Sequence, residues 1–159
     1  MTDRVKENLF NILGPSIIDA NVLDLFAGAG NIGIEALSRG ARHATFVEKD
    51  EEALRAIRQN LQLTKLADRA EVVRDNVFKF INRAQSEPYD LIYVAPPQYR
   101  NMWAKTLHAL DGRELLTPDG EIVAQIHPKE YRELELKSYE ASDQRKYGST
   151  MLVIYTAKK

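Results

Sequence analysis

The 159 residues contain no cysteine, which excludes a disulfide framework and a zinc cluster built on thiolates. There is no apolar run of membrane length and no leader-like N-terminus, so a cytoplasmic protein with no membrane contact is expected. Neither sign of charge prevails: 22 basic against 23 acidic side chains leave a net charge of −1. No global field therefore draws the chain to nucleic acid, and any such contact must rest on a local patch. The three histidines, His43, His108 and His127, lie far apart without ligand spacing, and no metal is expected. Glycine and proline are sparse, 8 and 6. With 44% apolar side chains, the length suits one domain, 1–159, with a full core.

The most informative stretch is Val22 to Leu37, VLDLFAGAGNIGIEAL. An apolar run, Val22 to Phe26, enters a turn of small residues, Ala27 to Gly30, and continues as a helical pattern, which is how a buried strand is joined to a helix over a ligand. Gly28, Gly30 and Gly33 satisfy G-x-G-x-x-G, a spacing that permits a tight turn, close approach of a ligand and close packing of helix on strand. Asp24 decides which nucleoside cofactor fits. A carboxylate four residues before the first glycine would repel a pyrophosphate at the turn, whereas S-adenosylmethionine carries cationic sulfonium and amino groups and no phosphate. Glu48, twenty residues after Gly28, closes the next apolar stretch, where a carboxylate accepts from ribose hydroxyls. A nicotinamide dehydrogenase is disfavoured by Asp24 and by the chain's size.

In chain order, Thr2 or Asp3 caps a first helix with Val5, Leu9, Ile12 and Leu13 on one face, ended by Gly14-Pro15. A helix from about Asn31 ends at Arg39-Gly40, and Asp50 caps another bearing Ala53, Ile57 and Leu61. Ala70 to Arg74 reads as a short third strand closed by Asp75-Asn76. Asp24, Glu48 and Asp75 thus stand at the ends of three strands and are expected to converge on one crevice. Asp75 suits the adenine amino group, with the Asn76 amide donating to the ring; the alternative is that Asp75 caps the helix beginning near Val77. That helix carries Val77, Phe80, Ile81 and Ala84 and is expected to run to Glu87-Pro88, with Phe78 and Phe80 assigned to packing. Tyr89 to Val94 is a central strand running into Ala95-Pro96-Pro97-Gln98-Tyr99, where two prolines stiffen the loop and leave a row of carbonyl acceptors. Trp103, Leu107 and Leu110 form a helical stripe, Thr117 to Gly120 a turn, and Glu121 to Ile126 a fifth strand. Leu134 to Lys159 reads as two long antiparallel strands around Lys146 to Ser149.

Over essentially its whole length the chain resembles the bacterial 16S ribosomal RNA guanine-N2 methyltransferase family, the RsmD family. TDRVKENLFNIL from Thr2 resembles the family's opening helix, DLFAGAGNIGIEALSRGA from Asp24 its cofactor motif, FVEKD from Phe46 its ribose-binding strand end, and KYGST from Lys146 its final hairpin. The resemblance implies a Rossmann-like class I α/β fold, a seven-stranded mostly parallel sheet with the last strand antiparallel and helices on both faces. It also implies methyl transfer from S-adenosylmethionine to an exocyclic base amine, with a ribosomal RNA or small-subunit particle as partner; a monomer is expected. It places the cofactor on Asp24, Phe26, Ala27, Gly28, Gly30 and Asn31, on Glu48 and Lys49, on Asp75 and Asn76, and on Ala95. The reaction falls to Pro96, Pro97, Gln98 and Tyr99.

Two departures stand out. The family signature is Asp-Pro-Pro-Tyr/Phe, and Ala95 stands here in place of the acid, with the aromatic Tyr99 one position late. Pro96 keeps its carbonyl and Tyr99 a ring able to stack, while Gln98 is either a substitute acceptor or a solvated loop residue. The alternative function is a catalytically weakened, cofactor-binding relative that serves as an RNA-binding or assembly module. Ahead of the helix at Thr2 the family carries a basic, strand-rich extension that the sequence does not show. RNA contacts then fall to Arg4, Lys6, Arg100, Trp103, Lys105, Arg145 and Lys146.

Overall fold

The structure, a computed structural model, describes residues 2–83, 87–97 and 100–159. Its α-helices and strands follow in the order α1 (Asp3–Leu13), β1 (Asn21–Leu25), α2 (Asn31–Ser38), β2 (His43–Glu48), α3 (Glu51–Thr64), β3 (Ala70–Arg74), α4 (Val77–Asn82), β4 (Tyr89–Val94), α5 (Met102–Leu110), β5 (Leu116–Ile126), β6 (Tyr139–Tyr147) and β7 (Thr150–Ala157). One seven-stranded sheet has the order β3-β2-β1-β4-β5-β7-β6. β1 to β5 run parallel, and β7 enters antiparallel between β5 and β6. This is the Rossmann-like class I arrangement expected from the sequence.

Strand alternation divides the core into two layers. Leu23, Leu25, Ile92, Val94, Ile122 and Ala124 pack against α4 and α5. Val22, Leu91, Tyr93 and Val123 face α1, α2 and α3 on the other side. Both faces of the parallel strands are covered, so β1 is buried at every position, Asn21 and Asp24 included. The helix starts follow local chemistry: the Thr2 hydroxyl accepts from the Val5 amide at 3.3 Å and the Asp50 carboxylate from the Ala53 amide at 3.0 Å. Trp103 is 1% exposed and belongs to the core, so it offers no surface to RNA.

Three boundaries differ from the sequence reading, each because of a distant partner. α4 stops at Asn82 rather than continuing toward Pro88, since the Arg113 guanidinium donates to the carbonyls of Ile81, Asn82 and Arg83 at 3.2, 3.1 and 3.4 Å and satisfies the helix end there; Ala84 lies outside the described residues. β5 begins at Leu116 and absorbs Thr117 to Gly120 instead of turning there. The Tyr89 amide donates to the Leu115 carbonyl at 2.7 Å and the Thr117 hydroxyl to Asp90 at 3.2 Å, and the extra residues are taken up as an irregularity between Tyr89 and Leu91. In the tail, 134–138 is not strand; the Lys137 and Ser138 amides donate to the Asp111 carboxylate at 2.7 and 2.8 Å, outside any ladder.

Candidate active site

At the C-terminal ends of the parallel strands lies a cavity of about 310 Å³, the position where open parallel sheets bind ligands. Its wall is built from Phe26 after β1, Val47, Glu48 and Lys49 at β2, Asp75, Asn76, Val77 and Phe78 after β3, Ala95, Pro96 and Pro97 after β4, and Met102 at the start of α5. Of the residues expected to bind a cofactor, Phe26, Glu48, Lys49, Asp75, Asn76 and Ala95 line it, as do Pro96 and Pro97 of the reaction loop. Gln98 and Tyr99 lie outside the described residues.

The glycine turn is tied to the neighbouring strand ends. The Ala27 amide donates to the Val47 carbonyl at 3.1 Å and the Gly28 amide to Glu48 Oε1 at 2.8 Å, while the Asp75 amide donates to the Glu48 carbonyl at 3.1 Å. Glu48 Oε2 accepts from the Lys49 and Asp50 amides, both at 3.0 Å. Phe26 has φ 60°, a left-handed conformation that costs a non-glycine residue about 1–2 kcal/mol, and it places the ring in the cavity wall. At Gly28, φ is 58° and a built Cβ meets nothing within 4 Å, so that side of the turn is open to a ligand. At Gly33 a Cβ would stand 2.3 Å from the Phe46 ring, so only glycine lets α2 pack this closely on β2. Ala27, Gly28, Gly30 and Asn31 form this turn and the start of α2 without lining the cavity.

Asp24 corrects the expectation that three acids converge on the crevice. It is 2% exposed, does not line the cavity, and lies beneath the turn, where its Oδ2 accepts from the Gly33 amide at 3.2 Å. Burial pushes its carboxyl up to about 8; the Gly33 bond works against that and the Glu48 charge adds to it. Beside it in register on β4 is Tyr93, whose hydroxyl donates to the Gln125 side chain and is held well above its ordinary value by burial and by Asp24.

The alternative role for Asp75 belongs to its neighbour. Asn76 caps α4, its Oδ1 accepting from the Phe78 and Lys79 amides at 2.9 and 3.3 Å. The Asn76 amide, expected to meet an adenine ring, donates instead to Asp75 Oδ1 at 2.8 Å, because the preceding carboxylate folds back onto it. The sequence reading misses Val47, Val77, Phe78 and Met102 in the wall. The expected packing role holds for Phe80, which is buried in the core, and not for Phe78, whose nearness to Asp75 in sequence is the signal that places it in the wall. Among the basic candidates, Lys6 pairs with Glu35 at 3.5 Å and Arg145 with Asp143 at 3.0 Å, while Arg4, Arg100, Lys105 and Lys146 are exposed.

Comparison with known proteins places this geometry. The family profile described as conserved hypothetical protein 95 matches residues 1–156. The YlbH protein of Bacillus subtilis is 35% identical over 160 residues, covering 97% of the chain and 85% of YlbH. Ribosomal RNA small subunit methyltransferase D of Escherichia coli K12 is 39% identical over 124 residues, 78% of the chain and 62% of that protein's length. The solved structure of the yhhF protein of Escherichia coli superposes with a TM-score of 0.90 at 32% identity, over 99% of the chain and 88% of its own.

Proposed function

We propose, on the premise that the chain belongs to the conserved hypothetical protein 95 family, the RsmD-like class I S-adenosylmethionine-dependent methyltransferases, that it methylates the exocyclic N2 amine of a guanine in small-subunit ribosomal RNA. The observation that carries this reading is the single cavity shared by Glu48, Asp75 and the proline-stiffened end of β4. Its residues suit the cofactor: two carboxylates serve the hydroxyl and amino donors of an adenosine, and Phe26, Val77, Phe78 and Met102 supply apolar walls. When bound, the cofactor supplies an electrophilic methyl group.

The chain's own residues then divide the work. Glu48 accepts from the ribose hydroxyls with the lone pairs its three amide donors leave, since a carboxylate offers about four acceptor sites. Asp75 accepts from the adenine amine. The Pro96 carbonyl orients the target amine and the Tyr99 ring stacks on its base, while Ala95 leaves the amine without a side-chain acceptor unless Gln98 supplies one. An amine needs no prior deprotonation, so orientation alone contributes several kcal/mol. The absence of cysteine argues against methylation at a pyrimidine carbon through a thiolate adduct and favours an amine. β7 is antiparallel to β5, which brings the hairpin after Tyr147 to the cavity end of the sheet, so Lys146 and Arg100 are the cations proposed to meet RNA phosphates.

The test supplies labelled S-adenosylmethionine with naked small-subunit RNA and with assembling small subunits, and digests the product to nucleosides. Label on N2-methylguanosine is expected. Label on another nucleoside moves the specificity, and cofactor binding without transfer to either substrate selects the second reading, a binding or assembly module, which Ala95 in place of the family's acid favours. Loss of transfer in Gln98→Ala identifies the substitute acceptor.

A further inference from the structure

Asp75 does not stand alone in the cavity wall. Its Oδ2 is paired with the Arg83 guanidinium at 2.9 Å, its Oδ1 takes the Asn76 amide at 2.8 Å, and its side chain is 16% exposed. Asp75 lines the cavity and Arg83 does not, so the arginine lies behind the carboxylate as seen from the ligand space. Arg83 is itself anchored. Its guanidinium lies 5.3 Å from the centroid of the buried Phe80 ring, and its backbone is held where α4 ends by Arg113, which donates to the carbonyls of Ile81, Asn82 and Arg83. α4 has only six residues, so a side chain starting just past its C-terminus reaches back along the helix to the residue preceding the Asn76 cap. The two ends of the helix are thereby clasped across the Phe80 ring. Asx-type carboxylates with one free oxygen rotate about the second side-chain torsion; with both oxygens held, this one is confined to a single plane.

We propose that Arg83 is the positioning residue for nucleobase recognition: by fixing the Asp75 carboxylate it presents a rigid acceptor to a purine 6-amino group and disfavours a 6-oxo group. The inference rests on the reading of the cavity as an adenosyl site. A purine with a 6-amino group offers a donor to Asp75, while the 6-oxo analogue turns an acceptor toward an acceptor, and a site built to pair with one polar group discriminates strongly against its opposite. Rigidity is what sustains that discrimination, because a carboxylate free to swing away relieves the repulsion and also loses the bond. Lysine in place of Arg83 keeps the charge but not the planar fork, so it holds the carboxylate less firmly.

The experiment measures by calorimetry the affinity of S-adenosylhomocysteine and of S-inosylhomocysteine for the wild type, Arg83→Ala, Arg83→Lys and Asp75→Ser, with the melting temperature of each. The wild type should prefer the adenosyl ligand at least tenfold. In Arg83→Ala the adenosyl affinity should fall about two- to fivefold, as expected for a partly exposed ion pair, and the inosyl affinity should rise as the repulsion is relieved, so that the preference narrows; Arg83→Lys should lie between. A merely structural role for Arg83 weakens both ligands equally, and an unchanged ratio of affinities in folded Arg83→Ala overturns the proposal. If Asp75→Ser also leaves the ratio unchanged, the base contact of Asp75 fails and the proposal with it. If the wild type binds neither ligand, the adenosyl-site reading itself has failed.

Discussion

The two halves of the cavity are built on different principles. At the ends of β1, β2 and β3, backbone amides and carboxylates cross-link every turn: Gly28 to Glu48, Ala27 to Val47, Glu48 to Asp75, and Gly33 to the buried Asp24. At the end of β4 the wall is Ala95, Pro96, Pro97 and, from α5, Met102, with no ionisable side chain among them. The first half presents polar groups whose geometry is already in place, and the second offers stiffness and carbonyls. The ionisable side chains of the wall belong to the first half and the proline-stiffened backbone to the second, so binding and transfer rate should vary separately.

The largest expected effect lies in the β4 half. Ala95→Asp should raise the transfer rate roughly ten- to a hundredfold in a methyl-transfer assay, the value of a charged hydrogen bond of about 1.5–3 kcal/mol. If Gln98 already serves as acceptor, the gain should vanish while Gln98→Ala abolishes transfer. In the other half, Glu48→Ala should weaken S-adenosylmethionine by roughly 1–3 kcal/mol, read by calorimetry, because it removes the proposed ribose acceptor and releases the Gly28 amide.

Two single substitutions sharpen the contrast through stability. Gly33→Ala forces a methyl group into the Phe46 ring and should cost about 1–3 kcal/mol in denaturant unfolding, with cofactor affinity falling alongside. Pro97→Ala, at an exposed position, should change stability by no more than about 0.5 kcal/mol and yet remove most of the transfer rate. Equal losses of stability in the two variants would break the distinction between a packed half and a stiff one.

The effect confined to one buried group is the pH dependence of Asp24. The native chain holds this proton up to about pH 8, whereas the unfolded chain releases it near the ordinary aspartate value of 3.8. Between those values the native state carries the extra proton. This group's contribution to stability is therefore complete at low pH, declines by up to about 1.4 kcal/mol per pH unit as pH rises through the window, and levels off above it. Asp24→Asn should flatten that slope in melts between pH 5 and 8. A cationic ligand above the turn favours the ionised form, so calorimetry at pH 7 in two buffers of different protonation enthalpy should show a proton released on binding by the wild type and none by Asp24→Asn.

What the sequence determined by itself was whatever depends on neighbours along the chain. Periodicity located β3 and β4 to the residue, Asp50 was legible as a cap and Thr2 as one of two candidates with Asp3, and the glycine spacing identified the turn. These are short-range properties of backbone geometry and burial pattern. Tertiary structure decided everything that rests on a partner far away in sequence. Arg113 ends α4, Asp90 draws Thr117 into β5, and Phe46 makes Gly33 obligatory. The three strand-end acids looked equivalent in sequence and are not: α2 covers Asp24 and gives it the Gly33 amide, so burial raises its carboxyl, while Glu48 and Asp75 stay at the cavity wall. The spacing of the acids could place each at a strand end, but only the packing of a helix across one of those ends set which carboxylates reach the ligand space and which one lies beneath it.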